Sequence, residues 1–454
     1  MIGAGPAGLV TAKTFLAAGA EVTVFERGSF IGGTWVYEND NGRQFLYKNL
    51  HINTSKRLTA FADWPFAPDT QPIPDHRDMA AYLKTYSDAH GVTRRIVFNA
   101  NVNDVRPAGR AGDGSEGWIV RTESGGHETF NAVAVCTGAF DRPLHVAQFA
   151  DRFGGEYLHS ADYRDPERFI GKRVCVIGAG NSAVDIASDI CRTAARMVLV
   201  ARSGVVVVPH FILGISLNDI GKSLQRWWIP DGLRRAVVRT LVWAVHGTMQ
   251  QHGFKPLTHR VHPTISSTII QDILFRRVHV KQGISEVDGK TLRFEDGSAQ
   301  AFDVVIAATG FVTDFPFLDR AIVASDHNRL ALYKRIVPPG WSGIYFVGMV
   351  NLDTPINYAC EQQARWIVDV EMNEIALPAK DEMIDDIAAK QRWVSRHYGD
   401  GARHSLQEES KIYYRELDRA LANGRRKARN GSKSPGAVSA MPVEFRAIKS
   451  ERSA

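Results

Sequence analysis

The chain has 454 residues, 44% hydrophobic and 23% charged, an ordinary globular composition with enough length for two or three domains. Its formal charge of +6 excludes nothing until it is located: residues 424–454 alone hold eight Lys/Arg against two Asp/Glu, so the remainder is balanced and a nucleic-acid partner is not expected. No run approaches the ~18 apolar residues of a membrane span, and the four cysteines form no Cys-x-x-Cys pair and no metal spacing with histidine, which argues against a redox dithiol or a metal site and favours a reducing, cytoplasmic setting.

Residues 1–8 read Met-Ile-Gly-Ala-Gly-Pro-Ala-Gly, a Gly-x-Gly-x-x-Gly turn at Gly3, Gly5 and Gly8 that encloses Ala4, Pro6 and Ala7 and leads into a helix to Ala18. These residues have no basic leader and are read as fold, not as a secretion signal. A strand over Ala20–Phe25 then ends in Glu26, about 20 positions on, where a carboxylate can accept from a ribose. Strand, turn, helix, strand and acid in this order predict an adenine dinucleotide site. Only Met1 and Ile2 precede Gly3, whereas a central strand needs about five residues, so we expect the natural chain to begin several residues upstream.

Gly32-Gly33-Thr34-Trp35 offers close backbone approach and an aromatic wall for a ligand. The loop Ile52-Asn53-Thr54 follows, and residues 72–91 predict a turn and an amphipathic helix. Short strands are expected over Val97–Val105, Trp118–Thr122 and Ala132–Cys136, the last ending in Thr137-Gly138. The stretch from Phe153 to Tyr163 reads as a linker. It runs into a strand, Val174–Ile177, and a second glycine turn with Gly178, Gly180 and Ala183 enclosing Asn181 and Ser182. The next strand, Met197–Val200, ends at Ala201-Arg202. An arginine there can pair with a 2′-phosphate that a carboxylate would repel, which favours NADPH over NADH.

Residues 210–275 break the α/β rhythm and are read as a helical insertion. Leu233, Val237, Leu241 and Val245 recur four apart, predicting a helix packed through them with Arg234, Arg235 and Arg239 outside; peripheral membrane contact is the alternative. Trp227 and Trp228 could wall a substrate channel. Strands return at Val278–Val280, Thr291–Phe294 and Val304–Ala307, and Thr309-Gly310 echoes Thr137-Gly138, as though the chain passed between two domains twice. A further strand at Ile344–Val347, a helix opening at Glu361 and two charged helices lead to a basic tail expected to be solvated and disordered.

Together these motifs resemble the flavin-containing monooxygenases. Their Phe-x-Gly-x-x-x-His-x-x-x-Tyr/Phe fingerprint is met at Phe153, Gly155, His159 and Tyr163, and the resemblance spans about 1–400. It implies FAD at Gly3–Gly8, Glu26, Gly33, Thr34 and Trp35, and NADPH at Gly178, Gly180, Asn181, Ser182, Ala183 and Arg202. Ile52, Asn53, Thr54, Thr137, Gly138, Thr309 and Gly310 complete the expected cofactor contacts. Asn53 matches the family's asparagine that contacts the nicotinamide and the oxygenated flavin and is the candidate catalytic residue, whereas His159 is read as a hinge or ribose contact rather than a base. The implied cycle reduces the flavin with NADPH, adds O2 to give a C4a-(hydro)peroxyflavin and oxygenates a nitrogen or sulfur of a small-molecule substrate. Two rivals remain: a Baeyer–Villiger ketone monooxygenase, against which Tyr163-Arg164 stands where that family has Trp and then Pro or Asp, and a flavin-binding NADPH oxidase or redox partner without oxygenase turnover.

The expected fold is α/β, two Rossmann-like doubly wound domains in a glutathione-reductase-like arrangement: 1–168 and 303–423 for FAD, 169–302 for NADPH, and 424–454 as tail. The substrate and the oligomeric state are not legible.

Overall fold

Short β-branched runs bounded by glycines build two parallel sheets, as buried strands between covering helices should. The computed structural model describes residues 1–224, 230–326, 328–399, 401 and 404–431. In the first sheet the order is Ile96–Val97, Val24–Phe25, Ile2, Val133–Val135 and Ile344–Phe346. Ile2 alone fills the central position: its N–H donates to the Ala134 carbonyl at 2.9 Å, and Gly3 N–H donates to Phe25 O at 2.8 Å. The Met1 ammonium lies inside the fold, donates to Thr23 O at 2.8 Å and is pushed down to about 6 by burial. Helix Pro6–Ala17 packs on Ile356–Glu371 through Leu9, Val10 and Ala12 against Ala359, Cys360 and Ile367. The second helix begins five residues before Glu361, where its opening was expected.

The second sheet is five-stranded and wholly parallel, ordered Val278–Lys281, Arg196–Val200, Arg173–Ile177, Val304–Ala307 and Glu156–His159. The supposed linker at 153–163 is therefore an edge strand. Glu-Tyr-Leu-His carries no apolar alternation because an edge strand is paired and covered on fewer sides, and only His159 in it is buried. Strands 156–159 and 304–307 join one sheet with 173–177, 196–200 and 278–281, across the boundaries expected at 168/169 and 302/303.

Between the sheets the chain crosses twice, and the crossings pair as an antiparallel ribbon, Arg142–Pro143 with Phe311–Val312. Thr309 Oγ1 donates to Leu144 O at 2.5 Å and Thr313 Oγ1 to Ala139 O at 2.6 Å, tying the two crossings side by side.

The insertion is not uniformly helical. A hairpin, Phe211–Ile212 with Ile215–Ser216, precedes helices Leu217–Ser223 and Asp231–His246. In the longer helix Val238, Leu241 and Val242 face the core formed with Val208, Ile212, Leu217 and Ile265, while Leu233, Val237 and Val245 are exposed. The helix is apolar on both faces, so a four-residue spacing could not say which face packs. Trp227 and Trp228 lie outside the described residues.

At the other end, Arg425–Arg429 forms the last turns of helix Ser410–Arg429 rather than a solvated tail. Arg425 pairs with Asp369 at 3.2 Å and Lys427 with Glu382 at 2.7 Å, and Gly424 packs on Ile375 and Ala376. Residues 432–454 lie outside the described set. No helix among the described residues is long and apolar enough to cross a membrane.

Candidate active site

The first glycine turn is built by close backbone contact. Gly3 adopts φ +102°, a region that favours glycine, and a side chain on Gly8 would put its Cβ 1.9 Å from the Gly3 carbonyl oxygen. Gly5 begins helix Pro6–Ala17 in extended conformation with no side-chain cap, and Pro6 has no N–H, leaving the helix start open to an anion. Gly33 closes on Gly5: a Cβ on Gly33 would meet the Gly5 Cα at 2.9 Å. The Gly32 N–H donates to Ala4 O at 3.0 Å, so the Gly33–Trp35 turn is clamped to the dinucleotide turn, with Thr34 exposed and Trp35 half-buried.

Glu26 does more than wait for a ribose. Its carboxylate is 4% exposed and accepts from Ala4 N–H at 2.7 Å and Gly28 N–H at 3.0 Å, bracing the turn while keeping further lone pairs. Near Gly3 the Thr137 hydroxyl is buried with no hydrogen-bond partner, and Gly138 at φ +78° has open space over its Cα. An orphaned hydroxyl near an uncapped helix start and a glycine cradle fits a dinucleotide pyrophosphate, as expected for FAD. Sequence reading missed Arg43, which donates to Thr137 O at 3.2 Å, pairs with Asp141 and is lowered to about 10, chiefly by burial.

The second turn repeats the design. Gly178 has φ +133° and a Cβ there would lie 2.4 Å from Ala308 O, while Ala183 is fully buried. Gly180 starts helix Asn181–Ile190 without a side-chain cap, and Ser182 is exposed at its first turn. Arg202 is exposed and makes no ion pair among the described residues. Asn181 is partly engaged, its Oδ1 accepting from Ile265 N–H at 2.9 Å, so it also ties the turn to the insertion.

Phe153, His159 and Tyr163 of the fingerprint are buried supports. Phe153 packs with Cys175, Val198 and Phe302, and a side chain on Gly155 would meet Asp303 O at 2.7 Å. His159 is fully buried: Nδ1 accepts from Ala161 N–H at 3.1 Å, so Nε2 carries the proton donated to Gly310 O at 3.0 Å. Burial, then His145, lowers it to about 4, which keeps it neutral and suits a pin between the crossings rather than a base. Tyr163 donates to Asp189 at 2.6 Å.

That contact belongs to a network the sequence did not announce, between the segment before Asn53 and the helix after the second turn. Tyr47 OH donates to Asp185 at 2.9 Å and Asn49 Nδ2 to Asp189 at 2.8 Å. Arg164 donates to Ala161 O at 2.6 Å and to Gln44 O at 3.3 Å, and its own carbonyl accepts from Lys48 N–H at 2.8 Å. The legible signal was an acid pair four apart on one helix face, Asp185 and Asp189.

Asp185 is raised to about 7, first by burial, with Asp189 adding to the shift and Tyr47 opposing it. The folded protein therefore binds a proton that an unfolded chain, with an ordinary value of 3.8, has released. The stability held by this group is complete below that value and is lost as pH rises through about 7, at a slope of up to about 1.4 kcal/mol per pH unit. Asp185→Asn retains an oxygen for Tyr47 and should flatten the fall in melting temperature between about pH 5 and 8 relative to wild type. Melts that run parallel across that range would overturn the assignment.

Asn53 follows directly on the segment that carries Tyr47 and Asn49. Its loop is held by Ile52 N–H donating to Pro74 O and Lys56 N–H to Pro72 O, both at 2.9 Å. The Asn53 side-chain amide is half-buried and has no hydrogen-bond partner among the described residues. Thr54 is turned to Thr59, with their hydroxyls 2.7 Å apart. All four cysteines are buried and none is in a disulfide.

Known proteins agree with this construction. The flavin-binding monooxygenase-like family matches residues 1–424. Flavin-containing monooxygenase 5 of Cavia porcellus is 33% identical over 435 residues, 90% of this chain and 79% of that protein. Dimethylaniline monooxygenase [N-oxide-forming] 2 of Macaca mulatta is 30% identical, covering 92% and 81%. Among solved structures, S-allyl-L-cysteine S-oxygenase from Allium sativum superposes with TM-score 0.69 at 28% identity, covering 94% of this chain and 87% of that one. Cyclohexanone monooxygenase, TM-score 0.63 at 16% identity over 94% and 97%, shares the fold alone. Two glycine turns that fit two dinucleotides, in a chain the family matches over residues 1–424, place this protein in the flavin-binding monooxygenase-like family, as a monooxygenase that uses FAD, NADPH and O2.

Proposed function

We propose that this monooxygenase oxygenates soft nitrogen or sulfur centres of small molecules. The observation that carries this reading is that the two cations of the Asn53 loop are both engaged away from Asn53. A ketone carbonyl must be attacked by oxygen delivered as an anion, which a free guanidinium or ammonium would hold. Both cations of this loop are spent elsewhere: Lys56 Nζ donates to Pro68 O at 2.9 Å and Thr70 O at 2.5 Å, and Arg57 pairs with Asp219 at 2.7 Å. What the loop offers is one uncharged amide that can donate and accept at once. Amines and thioethers are nucleophiles themselves and need only a positioned, protonated oxygen donor. FAD, when bound and reduced, supplies the activation of O2; the chain's groups orient the partners and shut out water. Relatives whose names state N-oxide formation and S-oxygenation support the same reading.

Three substrates of similar size test it: N,N-dimethylaniline, an allyl thioether and cyclohexanone, each with FAD-loaded protein, NADPH and O2. Amine or thioether should exceed ketone in kcat/KM by about tenfold or more, the scale of one well-placed interaction. A preference for the ketone would overturn the proposal. NADPH consumed only to H2O2 with all three would point instead to an oxidase. As to setting, four buried free thiols support a reducing compartment, the cytoplasm, and the balanced charge of residues 1–423 supports the absence of a nucleic-acid partner.

A further inference from the structure

The Asn53 loop is held from the side of the NADPH domain, by the insertion. Asn218 Nδ2 donates to the Asn53 main-chain carbonyl at 2.8 Å. One residue on, Asp219 Oδ1 accepts from Arg57 Nε at 3.1 Å and Nη2 at 2.7 Å. The two contacts bracket the loop, one at Asn53 itself and one at the short helix Lys56–Thr59 that follows it.

The arm that makes these contacts is anchored at the second glycine turn. Strand Val207–Val208 pairs with Thr264–Ile265, Thr264 Oγ1 donates to Ala179 O at 2.8 Å, and Ile265 N–H donates to Asn181 Oδ1. The hairpin Phe211–Ser216 rises from this base, closed by Leu217 N–H donating to His210 O at 2.9 Å, and delivers Asn218 and Asp219 to the loop. Neither side chain lies in a cofactor turn. Their partners are 165 and 162 residues away in the chain, so local structure does not require them.

We propose that Asn218 and Asp219 are positioning residues for oxygen transfer: they fix where the Asn53 amide points, taking their reference from the turn assigned to NADPH. This rests on the reading that Asn53 serves the oxygenation step. A carbonyl that loses its donor frees the peptide plane to rotate, and the side chain on the same residue swings with it. Flavin binding and reduction by NADPH use other groups and should be spared.

The test uses FAD-loaded full-length protein with Asn218→Asp, which keeps size and removes the donor, beside Asn218→Ala, Asp219→Asn, the charge-swapped pair Arg57→Asp with Asp219→Arg, and Asn53→Ala. For each, product formed per NADPH consumed, H2O2 released and the anaerobic rate of flavin reduction are measured with N,N-dimethylaniline. We expect Asn218→Asp and Asn218→Ala to lose about three- to tenfold in product per NADPH, the scale of one hydrogen bond. H2O2 should rise to match and the reduction rate should stay within about twofold of wild type. Asp219→Asn should uncouple in the same direction, and the swapped pair should recover coupling relative to Asp219→Asn. If Asn53→Ala uncouples while both Asn218 variants remain coupled, the positioning role is overturned; equal loss of flavin reduction in those variants overturns it too, by showing a general defect. Full coupling in Asn53→Ala would instead overturn the role of Asn53 on which the proposal stands.

Discussion

Alanine at position 8 is expected to give a folded protein that does not retain FAD. The added Cβ would lie 1.9 Å from Gly3 O and 3.0 Å from its carbonyl carbon, both main-chain atoms that cannot rotate away. Gly3 is itself pinned, with its N–H bonded to Phe25 O and Cys136 O filling the space over its Cα. The helix Pro6–Ala17 must therefore move outward, and the anion contact at its start depends on its present distance from the strand ends. Overpacking of this kind costs about 1–3 kcal/mol, which amounts to about ten- to a hundredfold in FAD affinity. Flavin absorbance per polypeptide after desalting reads the result, with far-UV circular dichroism as the control for folding. Gly178→Ala makes the complementary case: its clash is with Ala308 O, so flavin should stay bound while reduction by NADPH fails. Stoichiometric flavin in the Gly8 variant would show that the turn adapts and the site is misassigned.

Removing the Asn53 side chain should leave both cofactors bound and stop productive oxygen transfer. The loop's backbone is held by Pro72, Pro74 and Asn218 rather than by the Asn53 amide, so Asn53→Ala deletes a donor without releasing the chain. A single preorganised donor facing developing charge is worth about 10²–10³-fold in rate. We expect product per NADPH to fall by about tenfold or more, with H2O2 taking up the difference, while anaerobic reduction of the flavin stays near wild type. A product-to-NADPH ratio equal to wild type would remove Asn53 from the chemistry.

The two dinucleotide turns were legible because glycine spacing reports a backbone requirement that no other residue meets, as the clashes at Gly8 and Gly178 show. What the chain concealed has physical causes too. Strand Glu156–His159 carries no alternation because its place is at a sheet edge. Helix Asp231–His246 carries apolar residues on two faces, so periodicity alone chose Leu233 and Val237 beside Leu241 where packing uses Val238, Leu241 and Val242. The basic run Arg425–Arg429 looks solvated until Asp369 and Glu382 are brought to it by tertiary structure. The contact from Asn218 to Asn53 joins two polar residues in different domains, and no local pattern encodes that.

The ribbon of Arg142–Pro143 and Phe311–Val312 has a mechanical corollary. A single connecting strand would let one lobe swing freely about the other, whereas two strands laced side by side behave like a strap hinge, free to flex and twist but stiff against sliding. His159 is bonded to Gly310 at one end of that strap and Arg142 pairs with Asp314 at the other. Any reorientation of the lobes would have to bend this paired ribbon, and cutting either strand of the strap would still leave the lobes moored by the other.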